Sequence, residues 1–171
     1  MKTVKDIMTE NPFRLTSDET IADALDMLEA YPNIRHLPVI DDEKLVGIVS
    51  ERDLRSIVGY LSGLSKGKQK GAIFLQFSVD CVMIQNVITV SPSDSLLSIA
   101  RLFGERKIGV LPVLDNEKLV GIVSYIDLLN RYVIPLMATH MNDYDSGVVN
   151  TPELASDPLA SQTTCEQIAL F

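Results

Sequence analysis

The stretch LPVIDDEKLVGIVS at residues 37–50 decides the fold, because it returns at residues 111–124 as LPVLDNEKLVGIVS. The Asp-Leu pair at 53–54 likewise returns at 127–128. A repeat of this length indicates two copies of one structural unit. A unit of about 60 to 70 residues buries too little apolar surface to be stable alone, so we expect the copies to pack against each other.

Hydrophobic periodicity predicts a β-α-β-β-α order within each copy. Apolar residues at i, i+3, i+4 and i+7 indicate an amphipathic helix, and short apolar runs around a polar turn indicate a hairpin. In the first copy the predicted elements are a helical lead-in at 4–8, a strand at 13–15, a helix at 21–28, strands at 36–40 and 45–49, and a helix from Ser50. In the second copy they are 79–83, 88–90, 96–103, 110–114, 119–123, and a helix from Ser124. The fold class is therefore α/β (α+β).

Composition bounds the function classes. The 171 residues carry a net charge of −8, which argues against a general nucleic-acid binder. No apolar run approaches the roughly 18 residues of a membrane span, and the N-terminus lacks the apolar stretch of a signal peptide. Cys81 and Cys165 lack the spacing of a disulfide framework or zinc site. We expect a cytoplasmic protein that contacts neither membrane nor nucleic acid.

The chain divides into four predicted segments: a first repeat at 1–60, a linker at 61–78, a second repeat at 79–138, and an acidic extension at 139–171. The linker is rich in Gly, Ser and Lys, which is typical of a solvated connection. Its lysines, Lys66, Lys68 and Lys70, could alternatively fold over a phosphate. The extension lacks periodicity, so we expect a loose tail or a partner-contact segment.

The pattern Gly-x-x-Ser-x-x-Asp occurs at residues 47–53 and again at 121–127, where a strand runs into a helix. One interpretation is structural, because Ser at an N-cap with Asp three residues later resembles a capping box. The other is functional. A helix N-terminus and a hydroxyl attract phosphate, an Asp one turn along can accept hydrogen bonds from a ribose, and Gly permits close approach of a ligand. The second occurrence favours the functional interpretation without excluding the first.

From about Val4 to Tyr132 the chain resembles a tandem pair of CBS domains, also called a Bateman module. The resemblance rests on the two Gly-x-x-Ser-x-x-Asp motifs, the apolar strands that contain Pro38 and Pro112, and the openings at Met8 and Met83. It implies two sheets packed about a pseudo-twofold axis, with two clefts that can hold AMP, ADP, ATP or a related adenosyl compound such as S-adenosylmethionine or NAD.

The resemblance also assigns candidate nucleotide-binding residues. For the first site they are Arg35, His36, Ser50, Arg52, Asp53, Asn86, Val87 and Ile88. For the second site they are Thr9, Asn11, Pro12, Phe13, Ser124 and Asp127. Asp53 would meet the ribose, with Ser50 and Arg35 near the phosphate and the other repeat's opening against the adenine. Gly109 stands where Arg35 stands in the first repeat, so we expect the second site to bind polyphosphate less well or to stay empty.

Three function classes compete. The leading hypothesis is a non-catalytic regulatory module that binds an adenine nucleotide and acts on an unknown effector protein. The alternative is a ligand-free dimerisation scaffold, in which the motifs serve only as helix caps. The third class is an enzyme. No catalytic constellation or metal-ligand cluster is visible in the sequence, so we expect no enzymatic activity and no metal. The resemblance implies a homodimer. Apolar positions of the late helices could supply its surface or could be internal core: Leu54, Ile57, Val58, Leu128, Leu129 and Tyr132.

Overall fold

The computed structural model describes residues 2–64 and 74–145, and the side chains of 2–60 and 74–139. The linker lysines Lys66, Lys68 and Lys70, and the acidic extension from residue 146 onward, lie outside the described residues.

Each repeat contributes a β-hairpin flanked by two helices. The strands are β1 (Thr9–Glu10), β2 (His36–Asp41), β3 (Lys44–Ser50), β4 (Val110–Asp115) and β5 (Lys118–Ser124). The α-helices are α1 (Ile21–Ala30), α2 (Glu51–Leu64), α3 (Leu96–Arg106), α4 (Tyr125–Leu128) and α5 (Ile134–Asp145), and a π-helical turn spans Leu129–Val133. Short 3-10 turns at Val4–Asp6 and Val79–Cys81 form the two lead-ins. The predicted hairpins and amphipathic helices are confirmed.

The predicted strands at 13–15 and 88–90 are reduced to single bridges. Leu15 pairs with Val39 and Val90 pairs with Val113, both in parallel orientation. Backbone hydrogen bonds from Leu15 to Pro38 and from Ile40 to Leu15 hold the first of these contacts, at 2.9 and 2.8 Å. Each of these three-residue segments pairs with the neighbouring strand at a single residue, which is too short a contact to form a ladder. The sequence pattern therefore overestimated the length of these two strands.

The two hairpins have the same turn geometry. Asp42 and Glu43 have φ values of 46° and 65°, and Asn116 and Glu117 have φ values of 48° and 66°. Two consecutive positive φ values characterise the two-residue turn whose twist matches that of the flanking strands. The hairpins meet where Lys44 of β3 pairs with Lys118 of β5, which joins the strands into a single five-stranded arrangement.

The lead-ins are exchanged between the repeats. β1 pairs with β5 through Thr9 and Ile122, and Ile84 exchanges two 3.0 Å backbone hydrogen bonds with Ile48 of β3. Val4, Ile7 and Met8 are accordingly buried with the side chains of the second repeat. Val79 is buried with those of the first repeat, with Val82 and Met83 packed against it. Each half therefore completes its core with the opening of the other, as expected for units that are too small to bury enough apolar surface alone.

This exchange accounts for the glycine of each motif. A Cβ on Gly121 would lie 2.7 Å from Sδ of Met8 and 3.1 Å from the Thr9 carbonyl, and a Cβ on Gly47 would collide with Sδ of Met83. The sequence interpretation assigned these glycines to close approach of a ligand. The structure instead gives both glycines a packing role, because a methionine of the exchanged lead-in fills the space that a side chain would occupy.

The first compact unit of the chain extends to Ile134, and a second unit begins at Pro135. Within the second unit, α5 exposes Leu136 and Met137. Across the described ranges, we find no helix that combines the length and apolarity needed to cross a bilayer.

Candidate functional site

The first strand-to-helix corner is formed where β3 ends at Ser50 and α2 begins at Glu51. The Ser50 hydroxyl donates to the Asp53 carboxylate at 2.7 Å, and the Asp53 backbone N–H donates to the Ser50 oxygen at 3.1 Å. The pair therefore caps the helix, as the structural interpretation of the motif requires. Asp53 is nevertheless exposed, so its remaining acceptor positions stay accessible to a hydroxyl.

Strand β3 separates two different surfaces at this corner. On one side β2 pairs with it, and His36 lies opposite Ser50. On the other side lies the exchanged lead-in of the second repeat, which pairs through Ile84 and continues to Asn86. Because neighbouring strands lie about 4.8 Å apart, the two flanks are separated by about 10 Å across Ser50. Because this pairing is antiparallel, Val82 lies level with Ser50, and the lead-in continues from Ile84 to Asn86 in the direction away from the corner.

A cavity of about 910 Å³ opens on the β2 side of the corner. Its walls come from both repeats and contain four cationic side chains and one carboxylate. The lining residues of the first repeat are Arg35, His36, Ser50, Glu51, Arg52 and Arg55, and those of the second are Phe103, Gly104, Lys107, Ile108, Gly109 and Tyr125. An excess of positive charge around a helix N-terminus favours an anionic ligand.

Glu51 organises two of the cavity cations. Its carboxylate forms an ion pair with Arg35 and a second, at 2.9 Å, with Arg55 one turn along the helix. Hydrogen bonds from Arg35 and then Arg55 hold the pKa of Glu51 below its usual range, so the carboxylate is ionised at neutral pH. Both arginines expose well over half of their side chains, so the pairs orient the guanidinium groups without burying them.

His36 is half-buried at the start of β2 and faces the cavity. Burial lowers its pKa from the usual value of 6.5, and the nearby Asp53 carboxylate partly opposes that shift. The imidazole is therefore neutral at pH 7 in the absence of ligand. Neutral imidazole can still donate one hydrogen bond to a phosphate oxygen, and it gains a positive charge when the pH falls.

The structure brings together most residues predicted for the first site. Arg35, His36, Ser50 and Arg52 line the cavity, and Asp53 lies close enough to His36 to influence its charge. Three predicted residues, Asn86, Val87 and Ile88, do not line the cavity; they follow the lead-in on the opposite flank of β3. The structure therefore does not bring these three residues together with the cavity residues of the first corner.

The residues predicted for the second site are arranged differently. Thr9 pairs with Ile122 next to the second corner, and the Asn11 N–H donates to the Val120 carbonyl at 3.2 Å. Phe13 instead packs on Tyr31 of its own repeat, with ring centroids 4.2 Å apart. Pro12 lies between Asn11 and Phe13 in the chain. None of these four predicted residues of the first repeat lines the described cavity.

At the second corner the carboxylate of Asp127 is engaged by several groups. It accepts hydrogen bonds from the backbone N–H and the hydroxyl of Ser124, at 2.9 and 2.5 Å. Its other oxygen lies 3.6 Å from Nε of Arg131. The same guanidinium donates to the carbonyls of Ile7 and Met8, at 3.1 and 3.2 Å, and so connects the corner to the exchanged lead-in. This network leaves Asp127 less available to a ribose than Asp53.

Sequence reasoning missed Glu51, Arg55, Phe103, Lys107 and Tyr125 as cavity residues. Glu51 and Arg55 lie one turn apart next to Ser50, so helical spacing could have placed them on the same face. Lys107, Phe103 and Tyr125 belong to the other repeat, and no local pattern indicates that they reach the first corner. Among the described residues, no cluster of three or more potential metal ligands is found.

Comparison with known proteins identifies relatives for most of the chain. The family model described as CBS domain matches residues 4–60 and 79–134. A CBS domain-containing protein of Dictyostelium discoideum is 33% identical over 132 residues, which cover 76% of this chain and 90% of that protein. An inosine-5'-monophosphate dehydrogenase of Nitrosopumilus maritimus is 34% identical over 131 residues, which cover 75% of this chain and only 24% of the dehydrogenase.

Solved structures share the fold. The crystal structure of CBSX2 in complex with AMP aligns with a TM-score of 0.65 at 30% identity, over 80% of this chain and 99% of that one. The CBS domain pair of protein MJ0100, solved with 5'-methylthioadenosine and S-adenosyl-L-methionine, aligns with a TM-score of 0.63 at 26% identity, over 82% of this chain and 98% of that one.

Proposed function

This chain belongs to the CBS domain family, and from that premise we propose that it is a regulatory module that binds an adenine nucleotide at the first corner. The phosphates would occupy the cationic cavity, the ribose would meet Asp53, and the adenine would lie against residues 86–88. We propose further that the ligand changes how the module engages an effector protein, which requires different affinities for at least two states. The role needs no catalytic group.

The observation that carries this proposal is the cavity of about 910 Å³, with Arg35, Arg52 and Arg55 beside the N-terminus of α2. A helix cap alone requires Ser50 and Asp53, but it does not require three guanidinium groups around them. Arginine is the side chain best suited to phosphate, because its planar fork donates two parallel hydrogen bonds.

The structural relatives support the ligand class. CBSX2 was solved with AMP, and the MJ0100 domain pair with 5'-methylthioadenosine and S-adenosyl-L-methionine. All three ligands contain an adenosyl group, and only AMP carries a phosphate. The cations of this cavity favour a phosphate-bearing ligand over S-adenosyl-L-methionine, whose sulfonium group is itself positive.

A self-associating scaffold is the second candidate, and exposed apolar side chains favour it. Ile126 and Leu129 are 45% and 41% exposed near the second corner. Of the other positions predicted for a dimer surface, Leu54 and Leu128 are buried core, and Ile57, Val58 and Tyr132 are half-buried. A homodimer would therefore use a smaller part of the late helices than the sequence indicated. The two candidates are compatible, since a dimer can also bind a nucleotide.

Thermal denaturation with a panel of ligands tests the proposal. A ligand present at 100 times its dissociation constant stabilises the folded state by about 2.7 kcal/mol, which corresponds to a Tm increase of roughly 5–10 °C for a chain of this size. We expect AMP, ADP or ATP to give such a shift, and NAD, S-adenosylmethionine and adenosine to give less. If none of these compounds shifts Tm at millimolar concentration, the scaffold remains as the function.

A further inference from the structure

We propose that the cavity is a single polyphosphate site that selects nucleotides by their number of phosphates, and that Lys107 is the residue that determines this selectivity. The inference rests on the proposed function, because it concerns the same cavity. It adds that one nucleotide binds per chain, that di- and triphosphates are preferred over monophosphates, and that the second repeat supplies the discriminating charge.

The first argument is the charge of the cavity. Four cationic side chains face one carboxylate, an excess of three positive charges, while His36 is neutral. A phosphate monoester carries about −1.5 to −2 charges at pH 7, and each further phosphoryl group adds about one more. A monophosphate therefore leaves cavity cations uncompensated, whereas a di- or triphosphate balances them.

The second argument is how the cations are paired. Arg35 and Arg55 are both held by Glu51 on the wall of the first repeat. Neither Arg52 nor Lys107 forms an ion pair with any side chain that the structure describes, in residues 2–60 and 74–139. Of these two cations, Arg52 stands within the Ser50–Asp53 corner, where the first phosphate is expected. Lys107 is the charge left for phosphates that extend further.

The third argument is the position of Lys107. It ends α3 in the left-handed conformation, with φ of 53°, and the chain then continues through Ile108 to Gly109. All three line the cavity from the second repeat, whereas the arginines line it from the first. Gly109 lies so close to the first corner that a Cβ there would be 3.9 Å from Cε1 of His36. The absence of a side chain at 109 leaves space for a ligand to pass from the arginines towards Lys107.

The fourth argument concerns stoichiometry. Gly109 and Tyr125 occupy the positions in the second repeat that Arg35 and Glu51 occupy in the first, as the strand registers show. Both line the cavity that the first corner opens into. The phosphate end of a second nucleotide would therefore compete for the same space. The second repeat forms the far wall of one site, and it supplies no separate phosphate site.

Isothermal titration of the full chain with adenosine, AMP, ADP and ATP tests the proposal. We expect one nucleotide per chain and an affinity about tenfold higher for ATP than for AMP. In Lys107→Gln the ATP affinity should fall about tenfold and the AMP affinity less than twofold, so that the preference disappears. Lys107→Arg should retain the preference, because it retains the charge.

Lys44→Gln is the matched control. It removes the same charge from an exposed position at the far end of β3, about 20 Å along the strand from Ser50. It should leave both affinities unchanged, since long-range screening weakens the effect of a distant exposed charge. The proposal is overturned if Lys107→Gln lowers AMP and ATP binding equally or changes neither, or if two nucleotides bind per chain.

These outcomes are distinct from failure of the proposed function. If AMP binds as tightly as ATP, nucleotide binding stands and the polyphosphate inference is wrong. If no adenosine compound binds, the proposed function is wrong, and titration with inorganic tripolyphosphate and phosphate decides the inference. A preference for tripolyphosphate that Lys107→Gln removes would support a polyphosphate site, and equal or absent binding of the two anions would overturn it.

Discussion

The two strand-to-helix corners have the same hydrogen-bonded frame and opposite electrostatic character. In both, a serine and an aspartate cap the helix that follows the strand. The cationic and titratable positions of the first corner are uncharged in the second: Arg35, His36, Arg52 and Arg55 correspond to Gly109, Val110, Ile126 and Leu129. The helix cap is therefore formed without these charges, and the added charges of the first corner mark the part that we propose binds a ligand.

The acidic residues of the corners differ in the same sense. Asp53 is exposed, whereas Asp127 is half-buried and engaged by Ser124 and Arg131. Arg131 corresponds to Ile57 in the first repeat, so the first corner lacks this cation. An arginine of the chain thus interacts with the second aspartate where a ligand is proposed to interact with the first. The duplicated motif has one structural copy and one copy proposed to bind.

The largest expected difference between the two corners is the effect of replacing each aspartate on nucleotide affinity. Asp53→Ala should weaken nucleotide binding about 100-fold, because it removes two charge-assisted hydrogen bonds to the ribose at about 1.5 kcal/mol each. Asp127→Ala should change affinity less than twofold. Isothermal titration measures both, and circular dichroism verifies that each variant is folded.

Both aspartate variants should lose stability, because each aspartate belongs to a helix cap, whose loss costs about 1 kcal/mol. Asp127→Ala should lose more, since it also removes the partner of Arg131. Equal loss of nucleotide affinity in the two variants would mean that the corners are functionally equivalent, contrary to our assignment.

A second prediction concerns the packing that the repeats share. Gly47→Ala should lower the free energy of unfolding by about 1–3 kcal/mol, because the added methyl collides with Met83 of the exchanged lead-in. Gly121→Ala should cost a similar amount through Met8. Urea denaturation measures these values.

Gly59→Ala is the control for the glycine variants. Gly59 lies within α2, and the space around its would-be Cβ is empty. Alanine is favoured over glycine in a helix by about 1 kcal/mol, so this variant should be more stable than the parent. If Gly47→Ala were equally stabilising, the lead-ins would not be exchanged as described.

The smallest effect is expected from His36, whose counterpart Val110 does not titrate. The groups that face His36 are Asp53 and Arg35 of its own repeat and Gly109 and Tyr125 of the other. When the pH falls from 7.5 to 5.5, protonation of His36 adds a positive charge to the cavity. AMP affinity should therefore rise a few-fold more in the parent than in His36→Gln. Parallel titrations of both proteins cancel protonation of the phosphate itself.

His36 also makes the stability of the folded protein depend on pH. AMP affinity should rise as the pH falls, whereas the free energy of unfolding should decrease. Because burial lowers the pKa of His36 in the folded state, the unfolded chain binds the proton first. The contribution of His36 to stability is complete above about pH 6.5 and is lost as the pH falls from there towards the folded-state pKa. In the absence of ligand, the parent should lose more stability than His36→Gln over this range. Equal pH profiles in denaturation and titration would show that His36 does not face the cavity.

The sequence by itself determined the duplication, the hairpins, the amphipathic helices and the location of the corners. Each of these rests on signals that are local in the chain: alternation in strands, a 3.6-residue period in helices, and Ser-x-x-Asp at a helix start. The family resemblance also indicated Arg35, His36, Ser50 and Arg52, because each lies in or beside a motif on which that resemblance rests. The loss of a cation at Gly109 was visible for the same reason.

Only the tertiary structure decided how the two halves complete one another. The placement of Met83 over Gly47, the engagement of Asp127 by Arg131, and the approach of Lys107 to the first corner all join residues that are distant in sequence or belong to different repeats. Burial of apolar surface drives the repeats together without regard to sequence distance. The contacts between them are therefore set by the shapes of two folded halves, and no pattern within either half specifies them.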